Sequence, residues 1–193
     1  MLTVLLLSSA LGAPPGFQVT RDDVSGCTLM LGEREADGVV PMRAECHWPE
    51  VTVAHFHETF APWDHHDRFF SSVSVSEILE EDGDRLRVRQ IHVARGISDR
   101  EVIIDATRAP LDEGGFRYAW TLASDQVEGG DLIVPARNDG HWEVRPHPEG
   151  GVAVVHQLAY DPAGRVPGFV VRWFQTSGLA EIVTDLHTVM MAE

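Results

Sequence analysis

The chain has 193 residues, 30 acidic side chains against 15 basic ones, all of them Arg, and a formal charge of −15. Its length is that of one domain, which buries about 70% of its unfolded surface and needs no staples. Its negative field excludes nucleic acid as a partner, because that binding rests on cations displacing counterions from phosphate, and it disfavours standing residence on an anionic membrane.

The N-terminus opens on an apolar run, residues 2–7, followed by the small residues Ser8, Ser9, Ala10, Gly12 and Ala13. This is the layout of a secretory signal's hydrophobic core and cleavage site, so residues 1–13 are expected to be a signal peptide and the protein periplasmic or secreted. No Arg or Lys precedes the run, which leaves an uncleaved extension and a cytoplasmic protein as the alternative. The run is too short to span a bilayer. Residues 14–25 read as a linker, and 26–193 as the folded domain.

Period-2 alternation and turn punctuation predict strands at 27–32, 40–47, 73–81, 85–93, 101–108, 116–123, 133–145 and 152–160. Asp82-Gly83, Glu113-Gly114-Gly115 and Glu149-Gly150-Gly151 are short Gly-containing turns that suit antiparallel neighbours. Between the second and third strands, residues 49–70 carry Val51, Ala54, Phe56, Phe60, Phe69 and Phe70, broken by Pro62. Two short helices are expected there, the second capped by Asp64. Cys27 and Cys46 flank a turn near Ala36-Asp37-Gly38 and fall almost opposite one another. They form a disulfide worth about 3 kcal/mol if the protein is exported, or stay as two buried thiols if it is not.

The last strand runs into Asp161-Pro162-Ala163-Gly164-Arg165-Val166-Pro167, where Pro162 presets φ, Gly164 admits positive φ and Pro167 suits a helix's first turn. Beyond it Phe169, Val170, Trp173, Phe174, Ile182, Val183, Leu186, Val189 and Met190 recur at spacings of three and four, one apolar face of a long helix. The order of elements predicts an α+β helix-grip fold, a curved antiparallel sheet wrapped around the C-terminal helix. A single helix on a strongly bent sheet leaves room for an internal apolar cavity.

Four local sequences then carry a resemblance. They are Gly26-Cys27-Thr28-Leu29, Ile97-Ser98-Asp99-Arg100-Glu101-Val102, Trp142-Glu143-Val144-Arg145-Pro146 and Asp161-Pro162-Ala163-Gly164-Arg165-Val166-Pro167. In this order and spacing they resemble the START lipid-transfer domains of the Bet v 1-like (SRPBCC) superfamily, in a bacterial-type exported member. Glu101 stands where that family usually has Asp, and Val102 where it has an aromatic residue. The resemblance implies non-catalytic binding and transport of one hydrophobic molecule, such as a sterol, phospholipid or similar lipid. It also implies no cofactor, a monomer and transient contact with a membrane. Ligand entry would use the loop 92–99, with Gly96 as its flexible point, and movement of the final helix, weakened at Gly178.

In that fold the expected lining is Phe169, Trp173, Phe174, Ile182 and Leu186 from the helix, and Val102, Ile104, Trp120, Leu122 and Trp142 from the strands. Arg100 either meets a polar ligand head or sits in a structural ion pair with Glu101 or Asp99. The histidines His55, His57, His65 and His66 diverge, so no metal site is expected. No catalytic residue is assigned, since neither a nucleophile elbow nor a Cys/His pair is present. The enzyme alternative is a polyketide cyclase/aromatase-like activity in the same cavity, with His156, Tyr160 or Asp105 as its polar groups. A third reading is an interaction module whose interior has been filled by side chains.

Overall fold

The computed structural model describes residues 13–93, 96–125 and 132–192. The expected signal peptide therefore lies outside the described residues, apart from Ala13, as do Ala94 and Arg95 of the entrance loop. Nine strands form one antiparallel sheet in the order β1-β2-β3-β9-β8-β7-β6-β5-β4. They are β1 Phe17–Val24, β2 Cys27–Gly32, β3 Met42–Trp48, β4 Val73–Asp82, β5 Arg85–His92, β6 Arg100–Leu111, β7 Gly115–Leu122, β8 Arg137–Pro146 and β9 Val152–Asp161. The short Gly turns make hairpins of β4 with β5, β6 with β7, and β8 with β9. The chain crosses from β3 to β4 at the far edge of the sheet by way of residues 49–72 and returns strand by strand, so that β9 pairs with β3, Met42 opposite Leu158 and Trp48 opposite Val152.

Strand β1 is a correction, for residues 14–25 are not a linker. All but its two end residues are exposed, and its pairing with β2 slips twice, between Val19 and Arg21 and between Arg21 and Val24. A strand wet on both faces shows no alternation, which is the signal that reveals strands in sequence. Cys27 and Cys46 sit directly opposite in the β2–β3 register and are bonded to each other.

Between β3 and β4 lie α1 (Val53–Phe60), a 3₁₀ turn (Trp63–His65) and α2 (His66–Phe69). Thr52 caps α1 by accepting from the His55 N–H. Asp64 does not cap the second helix as expected. It falls inside the 3₁₀ turn, and no side chain caps α2. Phe56 and Phe60 of α1 pack with Tyr118 and Trp142 of the sheet.

The C-terminal segment is helical from Gly168 to Met190 but changes gauge in the middle. It runs as α3 (Gly168–Trp173), a π-turn (Phe174–Gly178) and α4 (Leu179–Met190). The π-turn inserts one residue, so the inward series is Val170, Phe174, Leu179, Val183, Leu186 and Met190, with a single spacing of five at its centre. Such insertions are uncommon and concentrate at functional sites.

Candidate ligand pocket between sheet and helix

A pocket of about 140 Å³ opens between the concave sheet and the helical segment. That is roughly ten times what one buried water requires. Its floor comes from inward residues of the central strands, Ile104, Trp120, Trp142, Leu158 and Tyr160, and its far wall from Phe60, Trp63 and Phe70. Val170, Val171, Trp173, Phe174 and Ile182 roof it, while Val93, Ile97, Pro162 and Val166 stand at one end. A second hollow, of about 310 Å³, adjoins it and shares Ser72, Val93, Trp173, Phe174 and Ile182. His92, Val93 and Ile97 thus border the same space as Pro162 and Val166 of the turn before α3.

Six of the ten expected lining residues meet here: Ile104, Trp120, Trp142, Trp173, Phe174 and Ile182. Four do not. Val102 and Leu186 are fully buried in solid core, and Leu122 packs at its margin. Phe169 is 73% exposed, the reverse of its expected place. Its side of the helix turned outward because the π-turn rephases α3 against α4, so one continuous 3.6-residue count across the junction misassigns it. No periodic pattern in the sequence marks the far wall. The aromatic density of residues 56–70 was its only trace in the sequence.

The strand chemistry of the floor is set by two small accommodations. Gly140 lies opposite both Trp120 and Leu158, and a Cβ there would come within 2.7 Å of the Trp120 ring. The absent side chain makes room for that indole, whose Nε1 donates to Asn138 Oδ1 at 3.1 Å. Next to it, the His156 ring lies flat on Trp142, centroids 3.9 Å apart and planes 12° apart.

The polar groups in the wall are mostly spoken for. Arg100, buried, donates from Nε to the Pro162 carbonyl at 3.1 Å and from its terminal nitrogens to the carbonyls of Ser98 and Ala163. The expected partner Glu101 accepts instead from Arg89. Arg100 therefore ties the Asp161–Gly164 turn to the entrance loop. Gln90 bridges His92 and Ser76, and Ser76 in turn donates to the Trp63 carbonyl at 2.6 Å. His66 donates to the Phe60 carbonyl at 2.9 Å. Burial pushes His66 and His92 down to about 4 and His156 down to about 3, so all three are neutral near pH 7. Burial also raises the Tyr160 phenol.

Of the three side chains named for an enzyme, His156 and Tyr160 line the pocket. Asp105 does not. It is exposed on the outer face, 3.7 Å from Arg87. His55, His57, His65 and His66 form no cluster. One group elsewhere, His47, His147 and Glu149, brings a ligand atom from each within 4.8 Å. There His47 Nε2 donates to the Gly150 carbonyl, and His147 Nδ1 accepts from the Glu149 N–H.

Residues 50–187 match the family described as polyketide cyclase / dehydrase and lipid transport. The chain belongs to that family. Among solved structures, this family member resembles a STAR-related lipid transfer protein from Xanthomonas axonopodis, at 16% identity and a TM-score of 0.80, over 91% of this chain and 98% of that one. It resembles human StAR-related lipid transfer protein 5 at 15% identity and a TM-score of 0.82, over 92% and 88%. It also resembles the Zhui aromatase/cyclase from Streptomyces sp. R1128 at 13% identity and a TM-score of 0.54, over 79% and 90%. At these identities the likeness is one of fold, START-like and helix-grip. No curated protein matches the chain in sequence. A hydrophobic ligand is what this family's fold accommodates, and both lipid carriers and a cyclase share it.

Proposed function

We propose that this protein binds and carries one hydrophobic molecule, a sterol, phospholipid or similar lipid, in the pocket beneath α3 and the π-turn, and releases it unchanged. The observation that carries the reading is the apolar, aromatic-walled space between sheet and helix. Each methylene hidden there rather than exposed to water contributes about 0.8 kcal/mol, which holds an acyl or ring system in the pocket while it crosses the aqueous phase. The pocket's titratable groups suit holding rather than chemistry, since general acid–base catalysis wants a pKa near the working pH and His156 is held at about 3.

A second reading, cyclase/aromatase-like turnover of a polyketide, is favoured by the family's description and by the Streptomyces likeness. Organic extraction of the purified protein followed by mass spectrometry separates the two. An unmodified lipid supports carriage, and a chemically altered product formed under turnover overturns it.

The carrier works outside the cytoplasm, in the periplasm or beyond, as a monomer that touches membranes transiently. The Cys27–Cys46 bond supports this, because disulfides persist in oxidising compartments. Phe169, exposed beside the roof of the pocket, is the group that would dip into the bilayer. Sequencing the mature N-terminus after expression in a secreting host tests the location. Cleavage within residues 10–13 is expected, and an intact Met1 overturns export.

A further inference from the structure

His156 holds the one buried side-chain nitrogen or oxygen among the described residues that has no hydrogen-bond partner, its Nε2. Its environment fixes what that atom can do. The other ring nitrogen, Nδ1, lies 3.2 Å from the His141 carbonyl. A carbonyl oxygen only accepts, so Nδ1 carries the proton and Nε2 presents a bare lone pair. The Trp142 indole against one face and Trp120 beyond, centroid 6.0 Å away, hold the ring in plane. The Nδ1 edge is tied back to β8, and His156 is among the residues that line the pocket.

The Trp120 N–H is committed to Asn138, the His92 Nε2 to Gln90, and the Gln90 amide to Ser76. A buried acceptor left empty costs free energy that the rest of the fold must offset, and a donor brought by a ligand recovers it. A neutral lone pair has nothing to offer a carbonyl, an ether or a carboxylate.

We infer that the pocket selects a hydrophobic alcohol or phenol, whose hydroxyl donates to His156 Nε2 while its apolar body fills the aromatic walls. This rests on the proposed binding of a hydrophobic ligand. It adds the requirement that the ligand carry a donor. His156 is thus a specificity-determining residue rather than an acid or base, because burial keeps it neutral and the Nδ1 bond keeps it in one tautomer.

The test uses a matched probe pair, 2-naphthol and its methyl ether 2-methoxynaphthalene, titrated into the full protein with tryptophan fluorescence as readout. The hydroxyl compound is expected to bind on the order of tenfold more tightly. In His156→Phe, which keeps a flat ring over Trp142 but has no acceptor, the two should bind alike. Because the probe pair is itself a comparison within the unaltered protein, the inference stays testable if that variant fails to fold. Equal affinity of the two probes for the wild-type protein overturns the hydroxyl requirement while leaving hydrophobic binding intact. Binding of neither overturns the carrier reading, and this inference with it.

Discussion

Gly178, in the last position of the π-turn, lies under the ring of Phe174: a Cβ there would stand 2.8 Å from Phe174 Cδ2. The glycine is what allows Phe174 to fold back along the helix and still reach the pocket, where its ring also meets Tyr160 at 5.1 Å. Gly178→Ala would gain about 1 kcal/mol of helix propensity but force Phe174 from its place, and overpacking of this kind costs typically 1–3 kcal/mol. The expected result in urea unfolding is a net loss of about 1 kcal/mol, with weaker binding of 2-naphthol because Phe174 is pushed into the space the probe needs. A variant as stable as wild type that binds equally well would show that the contact is slack.

Phe169 stands on the opposite side of the same helical segment, exposed and outside the core. An aromatic side chain in water beside a ligand opening has a use at the lipid boundary, where it can bury its ring without disturbing the fold. Phe169→Ala should therefore leave thermal stability within about 0.5 kcal/mol of wild type, as for other surface substitutions. Ligand affinity should be unchanged, while transfer of a fluorescent lipid between vesicles slows severalfold. Unchanged transfer would remove Phe169 from the membrane contact.

The β4–β5, β6–β7 and β8–β9 hairpins are legible because apolar alternation and a short Gly turn, two local signals, agree there. The C-terminal helix was legible as a helix but not in phase. Periodicity places a residue only while the gauge holds, and the π-turn at Phe174–Gly178 changes the gauge by one residue. Hence an unbroken count places Trp173, Phe174 and Ile182, near the junction, correctly, but sends Phe169 inward and omits buried Leu179 from the apolar series. The far wall of the pocket was hidden for a different reason. Phe60, Trp63 and Phe70 reach it through the docking of α1 and α2 on the sheet, a tertiary arrangement that no local pattern in residues 49–70 specifies. His156 stands in the sequence as a polar residue that shares a strand face with Tyr160. Its missing partner became visible only when the neighbouring side chains were in place.

The Cys27–Cys46 bond closes a short loop across one antiparallel pair, and both residues belong to the buried core. Closing a loop of this size removes enough freedom from the unfolded chain to stabilise by about 3 kcal/mol. Reduction with dithiothreitol, or the double change Cys27→Ser and Cys46→Ser, should lower unfolding stability by about that amount, the serine pair by somewhat more because hydroxyls replace sulfur in an apolar site. A denaturation midpoint insensitive to reductant would show that the bond contributes nothing to stability.

His66 and His156, each 2% exposed, couple stability to pH. Burial holds their folded-state pKa values at about 4 and about 3, against an ordinary value of 6.5. Between those limits the unfolded chain takes up protons that the folded protein refuses. Stability is therefore complete above pH 6.5 and is lost as pH falls toward the folded values. Going from pH 7.5 to 5.5 should cost about 1.4 kcal/mol for each of the two, since one pKa unit of difference corresponds to about that energy. Carboxylates with ordinary values near 4 contribute little in this window, so the loss is chiefly a histidine effect. Urea unfolding at the two pH values should show the full drop in wild type and about 1.4 kcal/mol less of it in His156→Phe, whose ring takes up no proton. A protein equally stable at both pH values would mean that water reaches these imidazoles and that the pocket floor is open. A ligand hydroxyl on Nε2 would deepen the same dependence, because protonating that nitrogen destroys the acceptor. Binding of 2-naphthol should accordingly hold from pH 7.5 down through pH 5.5 in the folded protein, and fail only where the fold itself gives way.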